Sequence, residues 1–524
     1  MKSETKINEP RAASAVVLLN QDGTKILWAQ RNPNIKFLGG WHAFPGGKVE
    51  TADAEIAVKN CEDKSLEKFV VAAVRECFEE VGVLLVRNGE KLTKGQRASL
   101  HSDLVSGVFS FAEILADWNL WIDARDFFYT GFWTTPQFSP LRFKTRFFLA
   151  VCPSKQQPFA AVTEMRNVEF IEAQGALERW KKSDVLISPP VLIALQELSA
   201  AENTEKHREN STANEHRFTQ TNLKRKNAAQ KLLEKSRISS GEIDYIELNP
   251  RVICFPVKTE TLPPATHTNC FIVGKKEFVV IDAAARDEFE QQRLFKLIDE
   301  LIEQGGVCRA IITSHLHRDH SGGERALRNH LLKKHAMRVH LYAHILSIEK
   351  LFGIVNENIE ITLSDGDLFT LADESGKNFV LKVLHTPGHA RGHLAFYDEE
   401  FGFLLSSDNV VGAGSVLIAP PEGNMIDYLN SLERLKILPN LKFLCGSHGA
   451  AVFDARSKIE SYIAHRRKRE RKIIEAIETG AKSSGEIVEK VYTDISPDLR
   501  MLAEKSVEAH LEKLEIEKKT AVSN

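Results

Sequence analysis

Four metal-ligand side chains within six residues constrain this chain more than any other feature. They lie in Ser314-His315-Leu316-His317-Arg318-Asp319-His320-Ser321-Gly322-Gly323, one residue after the apolar run Ala310-Ile311-Ile312, which reads as a buried strand. Strand alternation places His315 and His317 on one side and turns Asp319 and His320 to a neighbouring position. One tetrahedral zinc with an open water position does not use so many ligands, so two metals are the natural occupants. Further candidates are His389 in Thr386-Pro387-Gly388-His389, Asp408 in Ser406-Ser407-Asp408 and His448 in Gly446-Ser447-His448-Gly449. Each ends an apolar run, where strands would present them to a shared edge. A lone histidine is more often a satisfied core residue, but this density at one strand end is seldom structural.

A second constellation is Arg75-Glu76-Cys77-Phe78-Glu79-Glu80-Val81-Gly82-Val83. At 3.6 residues per turn, Glu76, Glu79 and Glu80 share one helix face, where they repel unless a cation lies between them. Hard oxygen ligands suit Mg²⁺ or Mn²⁺ working against substrate phosphates. The bland alternative is a solvated acidic face. Against it stands Phe44-Pro45-Gly46-Gly47, read as a turn able to bring Gly46 and Gly47 backbone close to a ligand.

A chain of 524 residues is long enough for about three domains. Residues 201–241 are polar and of mixed charge, with Phe218 as their one aromatic, and read as a linker, partly helical in its second half. Hairpin signals open both flanking blocks: Ala15–Leu19, Asp22-Gly23 and Ile26–Ala29 in the first, then Cys270–Val273, residues 274–277 and Phe278–Ile281 in the second. Helical and strand patterns then alternate, which implies α/β architecture, and from Ser461 the chain becomes helix-rich and charged. With 69 Lys and Arg against 71 Asp and Glu, bulk charge does not make this a nucleic-acid coat. Seven scattered cysteines without a CxxC pair exclude a disulfide framework and fit a reducing cytoplasm. No apolar run reaches the roughly 18 residues of a membrane helix, so no membrane partner is expected.

Residues 75–83 together with Gly47 resemble the Nudix box. Cys77 stands at one of its apolar positions and Asp53 at its first Glu, while Gly47 to Arg75 is twice the usual spacing. That insertion, with the run 37–44 ahead of the glycines, resembles the acyl-CoA diphosphatase branch. The resemblance implies an α/β/α sandwich over 1–200 and hydrolysis of a small-molecule diphosphate. Glu76, Glu79 and Glu80 would hold Mg²⁺ or Mn²⁺, and Arg75 would orient one of them. Asp53 and the insertion also leave room for a non-catalytic, ligand-sensing module.

The histidine set is similar to the metallo-β-lactamase fold, an αββα sandwich over 242–460. The resemblance implies one zinc on His315, His317 and His389, a second on Asp319, His320 and His448, and Asp408 bridging them. Asp282 would orient the ligand loop, and Ser407 replaces the Gly usual before the bridging Asp. Asp319 and Asp408 would act in the hydrolysis. The segment after His448, with the loop 412–415, resembles the winged-helix-type tail of β-lactamase-like endoribonucleases, a small helical domain over 461–524. Arg466 to Lys472 has six basic residues in seven, and Arg466, Arg467 and Lys468 are its candidates for phosphate contact. Single-stranded RNA is therefore the favoured substrate of the zinc domain, with a glyoxalase II-like thioesterase as the alternative. The residues leave the oligomeric state open.

Overall fold

The strand Arg11–Leu19 sets the layering of the first unit, Met1–Asp244. Val16 and Leu18 turn to one face of its sheet and Val17 and Leu19 to the other, the two-residue period of a strand buried on both sides. The structure, a computed structural model, describes residues 9–35, 38–137, 139, 141–160, 164–206, 217–347, 361–412, 414–493 and 495–523. Phe37, Ala413 and residues 207–216 of the expected linker lie outside them. Arg11–Leu19 runs parallel to Phe143–Val151 and antiparallel to Ile26–Arg31 and Gly46–Lys48 within seven strands. The expected hairpin is present, with Leu19 opposite Ile26 and Gly23 at φ 76° in the turn. The helix Glu67–Val81 covers one face; Ala173–Lys181 and Pro189–Lys206 cover the other, completing the α/β/α sandwich.

The expected helix in the second half of 201–241 is present, but the linker reading needs correction because that helix packs on the first unit. Arg217–Ile238 is a helix, and Ala229 and Leu232 are buried on the first unit. Ser236 Oγ accepts the Phe132 amide (2.9 Å) and donates to the Phe132 carbonyl (2.7 Å). A narrow stripe of small and apolar side chains on a polar helix suffices to dock it, a pattern that overall polarity hides. The chain divides between Asp244 and Tyr245, so the first unit is longer than 1–200.

The second unit, Tyr245–Asn524, contains the αββα sandwich. Seven strands from Ile246–Asn249 to Ile361–Leu363 form one sheet, covered by the helices Glu288–Glu303 and Glu324–His335. Six strands from Leu368–Ala372 to Val452–Phe453 form the other, covered by Met425–Lys436 and Ala455–Glu478. The second expected hairpin pairs His267–Val273 with Glu277–Ile281, and Gly274 turns at φ 96°. Arg251, 5% exposed, ties the sheets together through Asp398 (2.9 Å) and Glu400 (2.6 Å).

The tail does not begin at Ser461. Ala455–Glu478 is one continuous helix, followed by Ser484–Val491 and Arg500–Ser523 around a core of Ile473, Ile487, Val488 and Val507. No strand follows Phe453 among the described residues, and none of their helices is long and apolar enough to cross a membrane.

Candidate functional site

The first group stands on Glu67–Val81, whose apolar stripe, including Val70, Val74, Cys77 and Phe78, fixes its roll on the sheet. Arg75, 6% exposed, organises the opposite side. Its guanidinium donates to Asp53 (2.9 and 3.1 Å), the Lys48 carbonyl (2.8 Å), Glu76 (3.0 Å) and Glu79 (3.2 Å). Arg75 thus orients two of the three carboxylates, where the sequence suggested one. Glu80 accepts the Gly46 amide (2.8 Å). Burial pushes the Glu76 carboxyl up to about 7 against the pull of Arg75, and drives Glu80 well above the ordinary range.

Gly46 and Gly47 lie not in a turn but in the strand Gly46–Lys48, paired with Ala13–Ala15. Their smallness still matters: a Cβ on Gly47 would sit 2.5 Å from the Glu76 carboxylate. That cradle and three oxygen donors of raised proton affinity fit a hard divalent cation. Asp53, the departure from the expected Glu, is 1% exposed and supplies Arg75 with its bidentate partner from a short 3₁₀ turn, Ala52–Glu55, within the insertion. Asp53→Ala should therefore leave a buried guanidinium short of counter-charge and cost about 3–5 kcal/mol. Denaturant unfolding of the first unit measures this, and an unchanged midpoint would show that Arg75 does not depend on Asp53.

The second group gathers from four loops. His315 to His320 form no strand: the strand Val307–Ile312 ends first, and the loop is held by Asp282 instead. The fully buried Asp282 accepts the Ser314 amide and hydroxyl (both 2.7 Å) and His320 Nδ1 (3.0 Å). Gly388, at φ 130°, turns His389 inward where a Cβ would collide with Tyr428 backbone. Ser407, preceding Asp408, has φ 44°, a left-handed conformation that glycine adopts more readily. His448 follows the strand Phe443–Gly446.

Donor atoms of His315, His317 and His389 lie within 4.8 Å of one another, as do those of His315, His320 and Asp408, and those of Asp319, His320 and His448. The outer nitrogens of three histidines are pinned: His389 Nδ1 donates to Leu417 (2.8 Å), His448 Nδ1 to the His267 carbonyl (2.9 Å) and His320 Nδ1 to Asp282. Their inner Nε2 atoms are left to converge. Both His315 Nε2 (3.0 Å) and His389 Nε2 (2.8 Å) approach His317 Nδ1, which can share a proton with only one of them. His320 Nε2 and Asp408 Oδ1 are buried without a hydrogen bond. Lone pairs aimed at a common point, with outer nitrogens fixed, fit transition-metal coordination. Burial, reinforced by neighbouring imidazoles, pushes His389 down to about 4 and holds His315 well below the ordinary histidine range. Burial opposes the charged forms of His320 and Asp408 too, but here attraction prevails: His448 and His320 lower Asp408, and Asp408 with Asp282 raises His320.

The basic run is placed differently from expectation. Arg466 is buried: it donates to the Val416 carbonyl and lies 5.3 Å over the Tyr428 ring. With Tyr462, whose hydroxyl donates to Val411 (3.1 Å), it braces the loop after Asp408. A long apolar stem and a planar head let arginine serve inside a helix packing layer, which a charge count does not reveal. Arg467 is exposed and paired with Glu433 (3.1 Å), and Lys468 is exposed.

Four residues of these sites were not singled out from sequence. His393 accepts the Asp408 amide (3.1 Å) and meets Thr386 Oγ1 (2.9 Å); its place four residues after His389 was a usable signal. Glu164 acts electrostatically on Glu76 and Glu80. Glu422 lies 3.8 Å from His317, and Thr261 Oγ1 lies 3.4 Å from His448 Nε2. Nothing local marks these three.

Three family models match in order: NUDIX domain over 9–184, Metallo-beta-lactamase superfamily over 263–448, and Beta-lactamase associated winged helix domain over 483–523. Beta-lactamase-like protein 2 homolog of Drosophila melanogaster is 28% identical over 292 residues, 55% of this chain and 92% of that protein. An atrochrysone carboxyl ACP thioesterase of Pseudocercospora fijiensis is 24% identical over 281 residues, 52% of this chain and 76% of that one. Among solved structures, a NUDIX hydrolase from Alicyclobacillus acidocaldarius is 29% identical, with a TM-score of 0.32 and coverage of 37% of this chain and 93% of that one.

Proposed function

For a chain that joins a NUDIX domain to a metallo-beta-lactamase superfamily domain and its associated winged helix, both of them metal-dependent hydrolase domains, we propose two hydrolytic sites acting on CoA-type thioesters. The first site cleaves the diphosphate, with Glu76, Glu79 and Glu80 holding Mg²⁺ or Mn²⁺. The second cleaves the thioester; His315, His317, His389, Asp319, His320, His448 and Asp408 would hold two zinc ions there. Bound cations of these kinds supply Lewis-acid activation of water and of the scissile bond.

The chain's own residues do the rest. Asp282 and the Leu417 and His267 carbonyls hold the outer Nδ1 atoms of His320, His389 and His448, which aims their Nε2 atoms inward. Asp408 is held ionised by His448 and His320, and its Oδ1, free of any hydrogen bond, is left to orient the attacking water. In the first site Arg75 holds Glu76 and Glu79 in place while Gly47 leaves room beside them.

The observation that carries thioester over RNA is the charge at the mouth of the second site. Glu422 faces His317, and Arg318 is drawn to Glu260 (3.5 Å), an edge poorly suited to a phosphate chain running past the metals, whereas a CoA thioester reaches them through its neutral pantetheine arm with its phosphates held away. The thioesterase among the relatives supports the same reading. Single-stranded RNA remains the second reading, on the exposed Arg467, Lys468, Arg471 and Lys472. A cytoplasmic location fits seven unbridged cysteines.

A substrate panel of acyl-CoA, S-lactoylglutathione, CoA, ADP-ribose and short single-stranded RNA decides. Thioester cleavage by the full chain with Glu79→Gln, and CoA cleavage by the chain with Asp408→Ala, are expected. RNA cleavage that falls steeply with salt, and more shallowly after Arg467→Ala and Lys468→Ala, would establish the second reading instead.

A further inference from the structure

Asp299 is an acid on the buried stripe of Glu288–Glu303, between Ile298 and Leu301. Two histidines from the last turns of Glu324–His335 converge on its single oxygen Oδ1, His330 Nε2 at 2.7 Å and His335 Nε2 at 2.6 Å. The three donor atoms lie within 4.8 Å of one another, and all three side chains are largely sheltered, at 11%, 18% and 13% exposure. We infer that Asp299, His330 and His335 form a separate transition-metal site, of zinc type, that ties these two helices together.

The donor set, two imidazole nitrogens and one carboxylate oxygen, is one that zinc accepts with a fourth position left for water. Its supports are in place. Lys334 Nζ holds the other oxygen, Asp299 Oδ2, at 2.7 Å, and Phe295 stacks on the His330 ring at 4.3 Å and 14°. Such outer contacts fix ligand orientation. Burial opposes ionisation of Asp299, but hydrogen bonds from Lys334, His335 and His330 outweigh it and hold the carboxyl down at about 2. The ligand oxygen is therefore charged throughout the neutral range.

The place is distinct from the hydrolytic group. The 12-residue helix Glu324–His335 starts four residues after His320 and carries His330 about 9 Å and His335 about 17 Å along its axis from that start. A metal there takes the Nε2 positions now hydrogen-bonded to Oδ1, the displaced protons passing to Nδ1 or to water, and pins the end of the helix that leads out of the ligand loop. The role is structural rather than catalytic.

The test counts metal. Full-length protein is stripped with chelator, reloaded with Zn²⁺, desalted and assayed by elemental analysis. The chain with His330→Gln and His335→Gln should hold about one zinc fewer than wild type, because two of three ligands are lost. Turnover by the reloaded chain should stay within about twofold, since distant sites act independently. Asp299→Asn provides a milder change of the same site and should show the same deficit if the double variant does not fold. Zinc should also raise the melting temperature of wild type more than that of Asp299→Asn. Equal zinc content in wild type and in the folded variants would overturn the inference.

Discussion

Asp408→Ala should reduce hydrolysis by the second unit roughly a thousandfold or more, beyond the 10–100-fold that loss of an outer partner costs. Asp408 lies between the two histidine groups, 3.5 Å from His320, 3.6 Å from His389 and 3.5 Å from His448. Removing it deletes the anion that both groups share and leaves His320 with its hydrogen bond to Asp282. The backbone should hold, because the Asp408 amide still donates to His393 and the loop is braced by Tyr428, whose hydroxyl donates to Asn409 (2.7 Å). Zinc content and turnover, measured together, check this. Full turnover with metal retained would place the chemistry elsewhere.

Glu79→Gln should lower metal-dependent diphosphate cleavage by roughly 10²–10³-fold, because a neutral amide is a poor ligand for a hard cation where charge develops on phosphate. Glu79 is the most exposed of the three carboxylates, and its Arg75 contact is an i,i+4 pair that an amide oxygen can still accept. Stability should therefore change by less than about 1 kcal/mol. The second unit provides an internal control: its turnover should be unaffected. A Glu79→Gln chain that cleaves diphosphate at the wild-type rate would favour a ligand-sensing role for the first unit.

What was legible in the sequence was whatever depends on local spacing. The i, i+3, i+4 carboxylates fall on one helix because Glu67–Val81 has an unbroken apolar stripe, and the two hairpins follow from turn glycines between apolar runs. The dense run His315 to His320 announces a metal centre even though its backbone is a loop rather than a strand. What was not legible depends on long-range packing. The polar helix Arg217–Ile238 joins the first unit through a few side chains such as Leu232 and Ser236. Arg466 is read as a surface cation by any charge count, yet its guanidinium is spent on Val416 and Tyr428. Glu164 and Glu422 come from segments with no motif, and only the fold brings them to the sites.

Arg466 also changes how the RNA question must be asked. Its replacement would loosen the loop that follows Asp408, so lost activity would report on support for the metal site rather than on phosphate contact. Arg467 and Lys468 are the informative positions.

The most direct test of two hydrolytic sites on one class of substrate is to give an acyl-CoA to the full chain with Zn²⁺ and Mg²⁺ and identify every product by mass. Free acid, phosphopantetheine and the nucleotide half of CoA should all accumulate. Asp408→Ala should shift the products to acyl-phosphopantetheine, and Glu79→Gln should stop at free acid and intact CoA. An acyl-CoA that survives the wild-type chain while single-stranded RNA is cut at the Asp408 site would contradict the account.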